Sequence, residues 1–158
     1  MKIFLDTADT GAIEKAYTTG IIDGITTNPT LIRKSGRDPE DVYQQLIDYG
    51  INDISMEVVG DYGIMFEEGV RLSRKFGKAC TIKVPCTPDG LRVCRELSRS
   101  LVNVNVTLIF SAAQAILAAK SGAKYVSPFV GRVDDNSFVG MDLIEQISDI
   151  YTIQNVHK

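Results

Sequence analysis

Short apolar runs alternate with longer amphipathic stretches along this chain, six times in succession. The apolar runs, which predict β-strands, lie at residues 2–6, 23–28, 53–59, 80–85, 103–110 and 124–130. The amphipathic stretches, which predict helices, lie near residues 10–18, 39–49, 62–76, 88–100, 112–121 and 141–155. Six strand-then-helix units in a row favour an α/β fold in which parallel strands are joined by right-handed crossovers.

Residues typical of helix ends stand at several of these boundaries. Thr87-Pro88 and Asp38-Pro39 each place a capping side chain before proline at the first helical position. Ser111 and Gln114 have the spacing of a capping box. Three glycines follow helical stretches, where a left-handed residue is common: Gly50, Gly77 and Gly122.

Polar side chains occur at alternating positions inside the predicted strands and gather toward their carboxyl ends. That end carries the active site in a TIM barrel. No glycine-rich nucleotide-binding pattern follows any strand. We therefore expect a TIM (β/α)8 barrel of which this chain holds the first six βα units, as one domain over residues 1–158. The alternative is an open flavodoxin-like sheet, in which the strands would not follow sequence order.

The charge balance excludes several classes of partner. Seventeen basic and 20 acidic residues give a net charge of −3, which argues against a nucleic-acid surface and against binding to an anionic membrane. No run of apolar residues is long enough for a signal peptide or a membrane span. We expect a cytoplasmic protein.

Cysteine and histidine usage gives no sign of a metal site or a disulfide framework. The three cysteines, Cys80, Cys86 and Cys94, fit neither a zinc pattern nor paired disulfides. We expect reduced thiols, with Cys80 and Cys86 packed in the core. The one histidine, His157, stands near the chain end, so a histidine-based triad or a two-histidine metal site is excluded within one chain, and we expect no metal or cofactor.

Lys83 is the residue with the clearest chemical potential. It lies between Ile82 and Val84 in an apolar strand. A lysine buried there loses hydration, which disfavours its charged form, and a neutral amine can attack a carbonyl and form a Schiff base. The alternative, taken from this strand alone, is a solvent-facing or edge-strand lysine.

Two carboxylates end other predicted strands and strengthen the reactive interpretation. Asp6 ends the first strand and Glu57 the third, so both could serve a lysine as proton-transfer groups. The alternatives are that Asp6 caps the following helix, where Thr7 and Asp9 compete for that role, and that Glu57 only neutralises Lys83.

Several further polar groups suit a hydroxylated, phosphorylated ligand. Uncharged donors and acceptors of this kind serve ligand hydroxyls: Thr26, Thr27, Asn28, Asn105 and Thr107. For Asn28, which precedes Pro29, turn formation is a strong alternative. Arg132 could hold a phosphate through its guanidinium group, or form a surface ion pair with Asp134 or Asp135.

Five segments together resemble the transaldolase family, and within it the small transaldolase/fructose-6-phosphate aldolase subgroup. They are Asp6-Thr7-Ala8, Gly24-Ile25-Thr26-Thr27-Asn28-Pro29, Ile82-Lys83-Val84-Pro85, Asn105-Val106-Thr107-Leu108-Ile109-Phe110-Ser111 and Ser127-Pro128-Phe129-Val130-Gly131-Arg132. They occur in the family's order from residue 1 to about residue 150.

The resemblance implies a metal-free Schiff-base enzyme. It would transfer a dihydroxyacetone unit from sedoheptulose 7-phosphate or fructose 6-phosphate to glyceraldehyde 3-phosphate or erythrose 4-phosphate, in the pentose phosphate pathway. The implied catalytic residues are Lys83 as nucleophile, Asp6 as proton acceptor, and Glu57 and Thr107 around a water. The implied substrate-binding residues are Thr26, Asn28, Asn105, Ser127, Phe129 and Arg132. Homo-oligomers are common in the family.

Two positions separate the subgroup's two activities. The transaldolase pattern has Glu and Phe where the aldolase pattern has Gln and Tyr, and this chain has Glu57 and Phe129. A tyrosine hydroxyl could protonate the enamine and release dihydroxyacetone, whereas phenylalanine cannot. The resemblance therefore favours transaldolase over fructose-6-phosphate aldolase.

The chain length departs from the family pattern. Members of the family continue with a seventh and an eighth βα unit, and barrel phosphate sites often use loops in that region. We expect that the 158-residue polypeptide is an incomplete barrel, poorly active by itself or completed by an oligomer or another chain. The alternative from another class is a non-catalytic fragment with an assembly role.

Overall fold

Six strands form one sheet in the order in which they occur along the chain, β1-β2-β3-β4-β5-β6. The structure, a computed structural model, describes residues 1–156. Parallel pairing joins β1 to β2, β2 to β3, and β5 to β6. The strand bounds are β1 Phe4–Asp6, β2 Gly24–Thr26, β3 Ile54–Glu57, β4 Cys80–Pro85, β5 Asn103–Ile109 and β6 Tyr125–Pro128.

Helices follow every strand. Their bounds are α1 Thr10–Tyr17, α2 Pro29–Ser35, α3 Pro39–Asp48, α4 Tyr62–Phe76, α5 Pro88–Arg99, α6 Ala112–Lys120, α7 Val130–Asp135 and α8 Gly140–Ile153. A 3₁₀ turn at Gly77–Ala79 leads into β4. Sequential strands alternating with helices are the topology of the first six βα units of a TIM barrel. The flavodoxin-like alternative is wrong, because that fold requires a strand order that is not sequential.

The predicted helix ends are confirmed, except that the reciprocal half of the capping box at Ser111 is shifted by one residue. Asp38 accepts a hydrogen bond from Glu40 N, and Thr87 accepts one from Gly90 N. Ser111 Oγ accepts from Gln114 N at 3.3 Å. The glutamine carbonyl reaches one residue further back than a capping box requires, since Gln114 Oε1 accepts from Phe110 N at 2.7 Å. The predicted glycines all adopt positive φ: Gly50 at 93°, Gly77 at 56° and Gly122 at 92°.

Two short helices were not predicted. α2 begins at Pro29, after Asn28, and α7 covers Val130–Asp135, whose first residue the sequence placed in the sixth strand. Both have seven residues or fewer, so neither shows enough of the helical period to separate it from a turn.

The chain forms two compact units. Unit 1 comprises Met1–Val58 and Glu68–Ile82, and unit 2 comprises Val59–Glu67 and the chain from Lys83 onward. In unit 1, β2 and β3 pack against the surrounding helices through fully buried side chains, among them Ile13, Ile25, Leu46, Ile54 and Met56. In unit 2, β5 packs against α5 and α6 through Val93, Leu97, Val104, Val106 and Ala115.

All three cysteines are free thiols. Cys80 and Cys94 are buried, but the prediction of core packing is wrong for Cys86, which is half-buried. Burial raises the pKa of the Cys80 thiol to about 12, so this thiol stays protonated and unreactive near neutral pH. None of the helices within residues 1–156 is long and apolar enough to cross a membrane.

Candidate active site

The first group of predicted site residues lies in unit 1, at the carboxyl ends of β1 and β2. Asp6 and Thr26 are directly paired across the two strands. Thr26 Oγ1 donates to Asp6 Oδ1 at 2.8 Å. This hydroxyl fixes the direction of an exposed carboxylate that ends its strand.

Asp6 is not the cap of the following helix. Asp9 has that role, since its carboxylate accepts from Gly11 N and Ala12 N at 3.0 and 3.1 Å. Thr7 supports the same turn by accepting from Asp9 N at 3.1 Å. Helix formation therefore leaves the Asp6 carboxylate available for proton transfer.

The side-chain carbonyl oxygen of Asn28 is used by a backbone hydrogen bond. It is the N-cap of α2, and its Oδ1 accepts from Leu31 N at 2.9 Å. The alternative of a local turn-forming role for Asn28 is therefore confirmed. The Nδ2 group makes no hydrogen bond to any residue within 1–156, so its donors can still serve a ligand hydroxyl.

Glu57 is half-buried at the end of β3 and lines a cavity of about 440 Å³ in unit 1. The same wall carries Arg33, Arg37 and Tyr43. Burial raises the pKa of Tyr43, and a hydrogen bond to Thr27 partly offsets this. Glu57 thus reaches a polar cavity from the end of its strand, instead of being enclosed in the core.

The second group lies in unit 2 and is built around Lys83 in the middle of β4. Lys83 is only 5% exposed, so the surface-lysine alternative is wrong. Its neighbours Ile82 and Val84 are fully buried, and strand alternation directs them to the face opposite to that of Lys83. Burial of an amine among strands is unusual for lysine and marks this position as a candidate reactive group.

A hydrogen bond between the ends of β4 and β5 shows the register of the two strands and so identifies the residue opposite Lys83. Thr107 O accepts from Cys86 N at 2.9 Å, just as Thr26 O accepts from Thr7 N beside the Asp6–Thr26 pair. By this pattern Pro85 lies opposite Thr107, and counting back places Lys83 opposite Asn105. Paired residues in a parallel sheet point to the same face.

Asn105 and Ser127 form the polar pair next to Lys83. Asn105 is 2% exposed, and Ser127 Oγ donates to its Oδ1 at 2.8 Å. The hydroxyl orients the amide, as a hydrogen-bonded partner does for a binding group that must hold one position.

Thr107 is the strongest sign of a ligand in unit 2. The residue is 1% exposed. Its Oγ1 has no hydrogen-bond partner among residues 1–156, although nearly all buried hydroxyls in native proteins are paired. A hydroxyl buried in this way is available to a substrate oxygen or a water.

Phe129 and Arg132 are the remaining predicted site residues of unit 2. Phe129 is half-buried at the start of α7. Arg132 lies in α7 with an exposed side chain, and its Nη1 is 3.4 Å from Asp135 Oδ2. Of the two surface ion pairs expected as alternatives for Arg132, the one with Asp135 is thus present. Such an exposed pair is weak and leaves most of the guanidinium donors for an anion.

Phe110 lies beside the predicted site residue Phe129, and the sequence did not single it out. Its ring contacts that of Phe129, with centroids 5.5 Å apart, and it lines the same groove of about 460 Å³ as Arg132. In a regular strand Phe110 would point away from Asn105, so periodicity could not find it.

No group of three or more metal-ligating side chains occurs within the part of the chain that the structure describes. His157 lies outside the described residues. Asp6, Thr26, Asn28 and Glu57 belong to unit 1, and the remaining predicted site residues belong to unit 2.

Comparison with known proteins assigns the chain to a family. A family model described as Transaldolase/Fructose-6-phosphate aldolase matches residues 3–158. A probable transaldolase from Nitrosopumilus maritimus is 52% identical over 152 residues, which cover 96% of this chain and 68% of that protein. One from Paracoccus denitrificans is 53% identical, with 96% and 70% covered.

A solved structure gives a more distant likeness, in fold alone. The carboxyl transferase domain from Rhizobium etli pyruvate carboxylase, solved with pyruvate, is 13% identical with a TM-score of 0.53. The match covers 95% of this chain and 34% of that chain. On the family match and the identity to its relatives, the chain belongs to the transaldolase/fructose-6-phosphate aldolase family.

Proposed function

We propose that this protein is a transaldolase that carries a dihydroxyacetone unit on Lys83. The donor is a ketose phosphate, sedoheptulose 7-phosphate or fructose 6-phosphate, and the acceptor is an aldose phosphate, glyceraldehyde 3-phosphate or erythrose 4-phosphate. The observation that carries the proposal is the burial of Lys83, at 5% exposure, in the central part of β4.

The first step joins the substrate to the lysine. The Lys83 amine adds to the C2 carbonyl of the ketose, and loss of water from the carbinolamine gives an iminium ion. Thr107 and Glu57 position the water and relay the protons of this step. The Thr107 hydroxyl supports this role: it is buried with no hydrogen-bond partner among residues 1–156, and such a hydroxyl is suited to hold a water.

The second step breaks the carbon–carbon bond. Asp6 takes the proton of the C4 hydroxyl, the C3–C4 bonding electrons move into the iminium, and an aldose phosphate leaves. The iminium is the electron sink for this cleavage. The hydrogen bond from Thr26 to Asp6 supports the assignment, since it orients the carboxylate that must accept the proton.

The final step reverses the chemistry on a new acceptor. The enamine attacks the acceptor aldehyde, the new alkoxide regains a proton from Asp6, and hydrolysis of the iminium frees the product and the Lys83 amine. Asn28, Asn105 and Ser127 hold substrate hydroxyls, and Arg132 holds the phosphate. Phe129, which has no hydroxyl, supplies no proton to the enamine, so the enamine persists for transfer.

The experiment is borohydride trapping. The 158-residue chain is incubated with millimolar fructose 6-phosphate, reduced with borohydride, and measured by intact mass and peptide mapping. We expect a reduced adduct on Lys83, formed slowly in this chain, and no adduct in Lys83→Met. Lys78→Met, which removes an exposed lysine five residues earlier, is the matched control and should trap as the parent does.

The outcomes separate the candidate functions. Transfer to erythrose 4-phosphate without free dihydroxyacetone supports transaldolase, and release of free dihydroxyacetone supports fructose-6-phosphate aldolase. A folded chain that forms no adduct, or a Lys83→Met variant that still forms one, contradicts the proposal. The first of these results would favour a non-catalytic assembly role.

A further inference from the structure

Strand β5 contains an irregularity next to the polar residues of unit 2. Val106 lies opposite Val126, and Ile109 lies opposite Pro128. Three residue steps on β5 therefore match two steps on β6, so two residues, Thr107 and Leu108, oppose the single residue Ser127. This is a β-bulge, a feature common beside active sites, where it redirects side chains.

Leu108 has the backbone conformation that makes the bulge. Its φ is 60°, in the left-handed region that non-glycine residues seldom adopt. The side chain packs little in return, since Leu108 is 38% exposed. A strained residue persists only where the surrounding structure requires it, and here the requirement comes from the residues that follow.

The bulge reverses the alternation of the strand. Without it, Ile109 would continue the face of Asn105 and Thr107. With it, Ile109 lies opposite Pro128 and is fully buried on the face of Val106. Phe110 consequently moves to the face of Asn105.

The reversed alternation brings two aromatic rings together. The rings of Phe110 and Phe129 have centroids 5.5 Å apart and planes at 60°, an edge-to-face geometry that is favourable for aromatic pairs. Both backbones are held at this point. Phe129 N donates to Ile109 O at 2.9 Å, and Phe110 N donates to Gln114 Oε1 at 2.7 Å.

We propose that the Thr107–Leu108 bulge is a positioning element that places Phe110 against Phe129, and that Phe110 thereby helps determine whether the bound dihydroxyacetone unit is transferred or released. The consequence for product choice rests on the proposed function. By the family resemblance, Phe129 occupies the position that separates the two activities, and Phe110 is the described residue whose ring contacts it.

The chemistry follows from access of water to the enamine. If Phe129 can move away, a proton from water adds to C3 of the enamine. A second water then hydrolyses the resulting iminium, which releases dihydroxyacetone and restores the Lys83 amine. A pair of fixed apolar rings keeps water from this carbon, so loss of Phe110 favours release over transfer.

The positioning claim can be tested without turnover. We would introduce 4-fluorophenylalanine at position 129 and record its ¹⁹F resonance in the free protein. We expect the resonance to shift and broaden in Phe110→Ala, and to stay near its original position in Phe110→Tyr, which keeps the ring. An unchanged resonance in Phe110→Ala overturns the proposed contact.

The role of the bulge needs its own variants. Deleting Leu108 removes the extra residue, so we expect the resonance at position 129 to move as it does in Phe110→Ala. Leu108→Gly adopts positive φ without strain and should preserve the resonance, which keeps the test informative if the deletion variant does not fold. Leu101→Gly is the matched control, because Leu101 has φ 62° and is 94% exposed in a loop. We infer that the positive φ at position 108, and not the leucine side chain, holds Phe110 against Phe129. A resonance that moves in Leu108→Gly but not in Leu101→Gly contradicts this.

Product partitioning tests the functional part. With fructose 6-phosphate and an acceptor, we expect the ratio of free dihydroxyacetone to transfer product to rise at least about fivefold in Phe110→Ala, while trapping on Lys83 stays within about twofold of the parent. Leu117→Ala, which trims an exposed side chain on α6, should leave the ratio unchanged. An unchanged ratio in Phe110→Ala overturns the role in product choice. Absence of trapping in the parent would instead refute the proposed function, and the ¹⁹F result would still decide the positioning claim.

Discussion

Replacing Thr107 by valine should stabilise the protein while slowing its chemistry. The threonine hydroxyl is buried at 1% residue exposure and has no hydrogen-bond partner among residues 1–156. Valine has the same branched shape but carries a methyl group in place of the hydroxyl. The substitution therefore removes a polar atom whose burial nothing in the described protein compensates.

The expected gain can be bounded. A buried polar group without a partner costs about 1–3 kcal/mol of stability, so we expect the free energy of unfolding to rise by about 1–2 kcal/mol. In a chain of this size that is an increase of about 2–8 °C in the thermal midpoint. Urea denaturation followed by circular dichroism measures it, and the slope with urea should not change.

Thr81→Val is the matched control. Thr81 is also buried at 1% exposure, but its Oγ1 donates to Asp53 Oδ1 at 2.7 Å. The same substitution removes a real hydrogen bond to a buried carboxylate and should lower the free energy of unfolding by about 1–3 kcal/mol. Two chemically identical changes on neighbouring strands are thus expected to have opposite signs.

A loss of stability in Thr107→Val equal to that in Thr81→Val would refute the reasoning. It would show that the Thr107 hydroxyl is fully hydrogen-bonded in the free protein and is not held for a ligand. If instead the variant is more stable but traps fructose 6-phosphate as fast as the parent, the hydroxyl is unpartnered but takes no part in Schiff-base formation.

Two further predictions concern backbone fit and acid sensitivity. In Gly90→Ala the new Cβ would lie 2.0 Å from the last carbonyl oxygen of β4. Denaturant titration should therefore show that the free energy of unfolding falls by about 1–3 kcal/mol or more. In the control Gly131→Ala the new Cβ meets nothing within 4 Å, so the free energy of unfolding should hardly change. Hydrogen bonds from Arg71 and Lys75 lower the pKa of Glu40 from its ordinary 4.5. Ionised Glu40 therefore stabilises the fold at pH values above 4.5. This stabilisation is lost as the pH falls through the pKa that Glu40 has in the folded state. Glu40→Gln should therefore cost about 0.2–1 kcal/mol at pH 7, and its stability should approach that of the parent in acid; a difference that stays constant with pH would contradict this.

Local sequence was sufficient wherever one residue acts on its own neighbours. Asp38 and Thr87 cap the helices that they were expected to cap, because a side-chain oxygen before proline has backbone donors within reach in almost any fold. The positive φ of Gly122 follows from the end of α6 for the same reason. The short helix α7 was missed because six residues, with no side-chain cap at Phe129, resemble a loop.

Candidate site residues were predictable by type, but their arrangement was not. The positions of Asp6 and Glu57 at strand ends follow from strand order. The burial of Lys83 was left open against a solvent-facing alternative, and the structure shows it. The choice of Asp9 over Asp6 as the cap of α1 depends on backbone geometry that several nearby oxygens could satisfy. Phe110 was invisible, because the alternation that locates strand residues is the property that the bulge at Leu108 breaks.

Periodicity and capping act over a few residues, so the six βα units, the helix ends and the residue types of the candidate site could be read from the sequence alone. Three features depend on tertiary contacts: Thr107 Oγ1 is buried with no hydrogen-bond partner among residues 1–156, Ser127 orients Asn105, and Phe110 meets Phe129. Each of these depends on the register between neighbouring strands. A shift of one residue in register exchanges the two faces of a strand, and residues within a single strand carry no record of it.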